Sequence, residues 1–196
     1  MKNILLIFIR NPELGRVKTR LARTLGDAEA LRIYLLLLDK TQQAALGCEA
    51  ERWLFYSDFA DENDAWEQDL FEKKVQSPGD LGERMESAFR MAFEAGAPKV
   101  VIIGSDCPQL SGAALNEAFA ALDTADFVLG PVPDGGYYLI GMKTFAPGVF
   151  RDIEWSTETV REKTIEKIRS TGKSWTLLPM LMDVDTEADW RAIQAI

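Results

Sequence analysis

Three cations alternate through Arg16-Val17-Lys18-Thr19-Arg20, shortly after an apolar run from Ile4 to Ile9. The apolar run reads as a first β-strand. Asn11-Pro12 breaks it, Gly15 permits a tight turn, and Lys18-Thr19-Arg20-Leu21 reads as the opening of a helix. Backbone N–H groups and the positive helix end favour an anion at such a place, and the cations add to that preference. The chemistry served is phosphate binding, with Gly15, Arg16, Lys18 and Arg20 as the contacts. The stretch matches neither GxxxxGK[ST] nor GxGxxG. Its plainer reading is a solvated basic loop before a capped helix.

Carboxylates supply the second kind of chemistry. Asp106 follows the apolar run Val100 to Gly104, where an open α/β sheet places a catalytic acid or a metal ligand. The alternative is a turn residue that caps the chain from Ser111 onward. Asp183 and Asp185 share a face if Leu181 to Thr186 is extended, so one or both can meet Asp106. Asp134 sits in Gly130-Pro131-Val132-Pro133-Asp134-Gly135-Gly136-Tyr137-Tyr138. As structure that is a hairpin turned at Asp-Gly; as function it cradles an acceptor, with Asp134 binding a hydroxyl or acting as base. Gly79, Asp80, Gly82 and Arg84 make a turn ahead of a helix, where a base or ribose can rest. An N-cap at Asp80 explains that aspartate but not both glycines.

The chain contains no histidine. That removes the Ser-His-Asp triad, the Cys-His pair and HExxH zinc chemistry. A general base must then be a carboxylate, Lys, Tyr or Cys. A metal must be a hard ion such as Mg²⁺ or Mn²⁺ held by oxygen. Two cysteines make neither a disulfide framework nor a zinc site.

These residues need a scaffold, and 196 residues suit one domain, 1–196, with a substantial core. A net charge of −9 argues against nucleic acid as partner but not against a small anion in a cationic loop. The N-terminal apolar stretch ends at Arg10 with no cleavage site, so it reads as a core strand, and Leu35 to Leu38 is too short to insert in a membrane. A cytoplasmic location is expected. Strand-like segments fall at 52–56, 74–76, 99–104, 127–129, 137–140 and 175–178. Helical patterns cover 28–46, 61–71, 81–95, 115–122 and 157–170, the last capped by Ser156 or Thr157. A final helix opens at Thr186 to Asp189 with a capping box carrying Asp for Glu. The alternation predicts a three-layer α/β/α fold with a mixed, mostly parallel sheet.

Taken together, the motifs resemble a known family. They are PxxGxxKTRL at Pro12 to Leu21, QxxGDLGxRM at Gln76 to Met85, GSDxPxL at Gly104 to Leu110, GPxxDGGYYLIG at Gly130 to Gly141, WST at Trp155 to Thr157 and DVDTxxD at Asp183 to Asp189. The pattern is similar to the bacterial radical-SAM/selenodomain-associated transferases, within the nucleotide-diphospho-sugar transferase (GT-A) superfamily. Archaeal 2-phospho-lactate guanylyltransferases and sugar-nucleotide cytidylyltransferases look like more distant relatives. The resemblance implies a GT-A-type fold and a transferase using a nucleotide sugar or a nucleoside triphosphate on a small-molecule acceptor. It implies phosphate contacts at Lys18 and Arg20, and metal ligands at Asp106 and Asp185. Lys18, Asp106 and Asp134 are then the catalytic set. At Asp185 the match departs from the relatives' DTPED-like segment, since Glu187-Ala188 stands for Pro-Glu, and Ser105-Asp106-Cys107 lacks the DxD of many glycosyltransferases. A guanylyltransferase, a nucleotide-binding regulatory module without catalysis, and an interaction domain with a basic loop are the competing functions.

Overall fold

The structure, a computed structural model, describes residues 2–194. Its strands are β1 (Ile4–Ile9), β2 (Glu51–Tyr56), β3 (Glu72–Val75), β4 (Val100–Ile103), β5 (Phe127–Pro131), β6 (Tyr137–Met142) and β7 (Trp175–Leu177). They form one sheet in the order β3-β2-β1-β4-β6-β5-β7. β1, β2, β3 and β4 pair in parallel, as do β5 and β7. β6 alone runs against both of its neighbours. The reversal follows from the tight Val132 to Gly136 turn, because so short a connection can join only antiparallel strands.

The helices are α1 (Thr19–Leu25), α2 (Asp27–Leu46), α3 (Leu81–Glu94), α4 (Gly112–Ala121), α5 (Val160–Ser170) and α6 (Glu187–Gln194). Side chains of a strand alternate between faces, and β1 shows what that does. Leu5, Ile7 and Ile9 join a core with Leu38 and Ala45 of α2 and with Leu115 and Ala118 of α4. Ile4 and Leu6 join a second core with Met85 and Phe89 of α3 and Ile168 of α5. A sheet with helices on both faces is the three-layer α/β architecture the sequence predicts. No helix among the described residues is long and apolar enough to cross a membrane.

A third, smaller core matters most for the site. Leu21, Ala30, Ile33, Leu37 and Val184 are buried together, with Trp190 and Ile193 against them. It fastens α1 and α6 to α2, so the residues just before α1 and α6 meet although the chain separates them widely. Gly26 ends α1 and begins α2 at φ 83°, and Asp27 lies in the first turn of α2 rather than capping it. Thr186 and Asp189 exchange hydrogen bonds at the start of α6, as the capping-box pattern predicts.

Two expected helical segments differ. Residues 61–71 are not helical, although Trp66 and Leu70 have helical spacing. Asp61 and Asp64 accept hydrogen bonds from the backbone N–H groups of Asn63 and Trp66, and local bonds of that kind compete with a helix. Tyr56 and Lys73 also donate to Asp64, so the segment is a pinned loop with Trp66 buried and Leu70 exposed. The second difference is at α5, which begins at Val160 behind Thr159 rather than at Thr157. Ser156 has φ 64°, outside the helical region, and the 153–159 segment follows the hairpin tip instead. Leu81, at the first turn of α3, is exposed although it is apolar.

β7 carries the chain toward Asp183 and Asp185 and is anchored at its start. The Ser174 backbone N–H and hydroxyl both donate to the Asp126 carboxylate, which holds its pKa below the ordinary value. A lowered carboxylate pKa stabilises the fold above the ordinary aspartate range, and that contribution is lost as pH falls through the lowered value. Asp126→Asn is therefore expected to be less stable than the parent in urea unfolding at pH 7, with the gap closing as the pH is lowered beneath the ordinary aspartate range.

Candidate active site at the carboxyl ends of the strands

Parallel strands aim their carboxyl ends, and the loops that follow, at one edge of the sheet. Arg10 and Asn11 after β1, Ser57 and Asp58 after β2, Gln76 after β3 and Asp106 after β4 all fall there. Asn11 is buried, donates to the Phe59 carbonyl, and accepts from the Ser57 hydroxyl and the Asp58 N–H. It ties the cationic loop to the loop after β2. Gln76 donates to the carbonyls of Ile9 and Phe55, joining three strand ends. Tyr34 of α2 does the same between β1 and β4. Its hydroxyl lies 2.8 Å from the Arg10 nitrogen, 3.1 Å from the Arg10 carbonyl and 3.3 Å from Ser105 Oγ. Burial pushes that phenol up to about 12, so it acts as a neutral bolt rather than a base. The roles of Tyr34 and Asn11 were missed from the sequence; for Tyr34 the available signal was a polar atom within an apolar helix stripe.

Lys18 is the centre of the site. Its Nζ lies 2.7 Å from Asp106 Oδ1 and 3.1 Å from Asp185 Oδ1, and its side chain is only 6% exposed. Its backbone is left-handed, φ 46° and ψ 47°, at the N-cap of α1. A non-glycine residue there costs on the order of 1 kcal/mol. Arg20 NH1 stands 3.7 Å from Asp185 Oδ2 and is largely exposed. The Val184 N–H donates to the Asp106 carbonyl at 2.9 Å, so the 183–185 segment is hung on the end of β4 by its backbone. The third expected cation does not converge with these. Arg16 pairs with Glu13 and lies 4.0 Å from Asp58, 65% exposed on the outer side of the loop.

Asp134 and Asp183 make the other half. Asp134 Oδ1 accepts from the Gly136 N–H, which shapes the hairpin turn. Burial raises the Asp183 carboxyl to about 6, and the charge of Asp134 raises it next, followed by Asp185 and Asp106. Four carboxylates thus share this edge with one buried lysine. Oxygen donors at Asp106 and Asp185, meeting on a common point, fit a hard divalent ion. Among the described residues no three His, Cys, Asp or Glu side chains come close enough to enclose one by themselves. Cys107, beside Asp106, is buried and its thiol is pushed up to about 12, so it is no nucleophile near neutral pH.

The turn from Gly79 to Arg84 uses its polar groups locally. Asp80 and Glu83 form a capping box, and Arg84 Nε donates to the Gly79 carbonyl. A Cβ at Gly82 would stand 2.6 Å from the Phe150 carbonyl and 2.9 Å from the Trp155 ring, so this glycine permits close packing of α3. A cleft of about 440 Å³ opens beside it, lined by Asp80, Glu83, Glu86, Asp152, Arg90 and Arg151 among others. Its four carboxylates outnumber its two guanidiniums, and the Lys18 edge has the same balance, with Lys18 and Arg20 beside four carboxylates. At that edge Gly104 is exposed, and a Cβ there would meet nothing within 4 Å. The open space lies two residues before Asp106.

The described family called "Uncharacterized protein conserved in bacteria", DUF2064, matches residues 38–157. The chain belongs to the DUF2064 family. A crystal structure of a proposed nucleotide-diphospho-sugar transferase from Desulfovibrio desulfuricans G20 is 33% identical, with a TM-score of 0.89 over 97% of this chain and 85% of that one. Two further structures share the fold at lower identity. A nucleotidyl transferase from Methanothermobacter thermautotrophicus is 14% identical with a TM-score of 0.62, covering 98% of this chain and 96% of that one. A Mycobacterium tuberculosis H37Rv protein solved with manganese is 16% identical with a TM-score of 0.57, covering 99% of this chain and all of the other. No curated protein sequence is similar enough to match. This DUF2064 chain therefore has the nucleotidyltransferase, GT-A-like fold that its motifs imply.

Proposed function

We propose that this protein is a divalent-metal-dependent transferase that takes a nucleoside triphosphate or a nucleotide sugar as donor and a small molecule as acceptor. One observation carries the reading: Lys18, Asp106 and Asp185 meet within hydrogen-bond distance at the carboxyl end of the sheet, although 167 residues separate Lys18 from Asp185. Open α/β sheets bind their ligands at that end. The names of the relatives point the same way, to nucleotide and nucleotide-sugar transfer, and the manganese of one relative agrees with the oxygen donors here.

In this reading Lys18 and Arg20 bind the donor phosphates and neutralise the charge that builds on them as the bond to the leaving group breaks. Asp106 and Asp185 would hold Mg²⁺ or Mn²⁺, which supplies Lewis-acid neutralisation of phosphate oxygens. Asp134, at the hairpin tip, orients the acceptor hydroxyl and receives its proton. Gly79, Asp80, Gly82 and Arg84 border the nucleoside, and Gly15 shapes the loop that Arg16 flanks. Attack at the α-phosphorus releases pyrophosphate; attack at an anomeric carbon releases a nucleoside diphosphate. The association with radical-SAM and selenodomain proteins belongs to the same proposal.

Thermal unfolding against nucleoside triphosphates and nucleotide sugars, each with and without Mg²⁺ or Mn²⁺, tests the reading, because a ligand that binds the native state raises its stability. A metal-dependent shift with triphosphates alone favours nucleotidyl transfer, and with nucleotide sugars alone favours glycosyl transfer. Binding without turnover would make the protein a nucleotide-binding regulatory module. Gly104→Val sharpens the test. Its Cβ enters open space, with nothing within 4 Å, and no left-handed backbone is required, so unfolding without ligand should move by no more than about 0.5 kcal/mol. It should nonetheless weaken donor binding by about tenfold or more, since a 1.4 kcal/mol steric loss already gives that factor. Unchanged donor affinity in Gly104→Val would remove the donor from this edge.

A further inference from the structure

We propose that Lys18 is the resident counter-ion of Asp106 and Asp185, so that the site takes a divalent cation only together with a ligand's phosphates. The inference rests on the donor reading above and adds an order to it. The ammonium occupies Oδ1 of both aspartates, at 2.7 and 3.1 Å, and Arg20 stands 3.7 Å from Asp185 Oδ2. Three of the four carboxylate oxygens therefore already face a cation. A bare metal ion needs the same lone pairs.

Displacing the ammonium is costly because of where it sits. The Lys18 side chain is 6% exposed, and its backbone is fixed at the N-cap of α1. A charge so placed cannot move into water, and a buried charge deprived of its partners is strongly unfavourable. The metal gains little in exchange. Two aspartates do not fill an octahedral shell, and no third His, Cys, Asp or Glu among the described residues stands close enough to help. Phosphate oxygens resolve both difficulties. They complete the ion's shell and give the ammonium new anionic partners a short distance from its old ones. Metal and phosphate then bind with positive coupling, and linkage requires each to tighten the other equally.

Mn²⁺ binding, followed by the EPR signal of the free ion, reads this without any turnover. Wild-type protein is expected to bind Mn²⁺ alone weakly. Lys18→Met keeps the aliphatic stem and the same backbone demand but removes the charge, and should bind Mn²⁺ alone about tenfold or more tightly. Lys18→Arg keeps the charge and should stay weak, which separates electrostatics from space. Circular dichroism identifies a misfolded variant, and Lys18→Gln is the substitute if Lys18→Met fails. Inorganic pyrophosphate should raise the retention of Mn²⁺ by the wild type. Equal Mn²⁺ affinity in wild type and folded Lys18→Met, a gain in Lys18→Arg as well, or wild-type Mn²⁺ binding that pyrophosphate leaves unchanged would each overturn the inference. Failure of the donor reading looks different: no nucleotide or nucleotide sugar stabilises the wild type, while Lys18→Met still gains Mn²⁺.

Discussion

Asp106→Ala is expected to reduce metal-dependent transfer by about a thousandfold or more while leaving the fold intact. The fold survives because Asp106 holds its surroundings with its backbone. Its carbonyl accepts from the Val184 N–H at 2.9 Å, and its own side chain is 47% exposed and bonded only to Lys18 among the described contacts. Lys18 retains Asp185 when Asp106 is truncated. What disappears is one of two carboxylates that the proposed function assigns to a hard cation, together with one of the two counter-charges of Lys18. Steady-state rates with saturating Mn²⁺ or Mg²⁺, beside a thermal unfolding curve, measure the two halves of the prediction. Full activity in a folded Asp106→Ala protein would exclude a metal role for this residue.

Gly135→Ala should act in the opposite way, on stability first. Gly135 has φ 90°, and a Cβ placed there would lie 1.9 Å from the Glu158 carbonyl oxygen and 2.5 Å from its carbon. Those are backbone atoms, so no side-chain rotation relieves the clash. The neighbours hold the tip firmly: the Arg161 N–H donates to the Gly135 carbonyl at 2.9 Å, and Arg161 NH1 donates to the Val132 carbonyl at 3.0 Å. Left-handed strain and overpacking together should cost about 3 kcal/mol or more, or on the order of 10 °C in the unfolding midpoint of a chain this long. The displaced tip also carries Asp134, so acceptor-dependent turnover should fall further than the loss of folded protein explains. An Ala variant with a parental midpoint would mean that the 154–159 segment yields freely at the tip.

These two sites show how far local pattern reaches. The strands were legible because burial on both faces demands uninterrupted apolar runs, as in Val100 to Ile103, and the Asp-Gly turn announced the one hairpin. The Asp80 cap and the Thr186 to Asp189 box were legible because capping is a contact among near neighbours. Residues 61–71 misled because an apolar pair four apart satisfies a helix pattern, while Asp61 and Asp64 take local backbone N–H groups instead and Tyr56 and Lys73, outside the segment, pin the resulting loop.

Residue types and short spacings alone revealed most of the elements, the absence of histidine chemistry, and a cationic loop and single aspartates at the right strand ends. Each of those depends on residue type and short spacing, which the chain displays directly. Which charges meet depends on the packed fold. Burial of Leu21 with Val184 draws α1 and α6 together and sets Lys18 between Asp106 and Asp185. Arg16, in the same loop, turns outward to Glu13 and Asp58. The same packing brings the charge of Asp134 close enough to raise the Asp183 carboxyl. Those pairings follow from how distant apolar surfaces are removed from water, and that is a property of the whole packed chain rather than of any stretch of it.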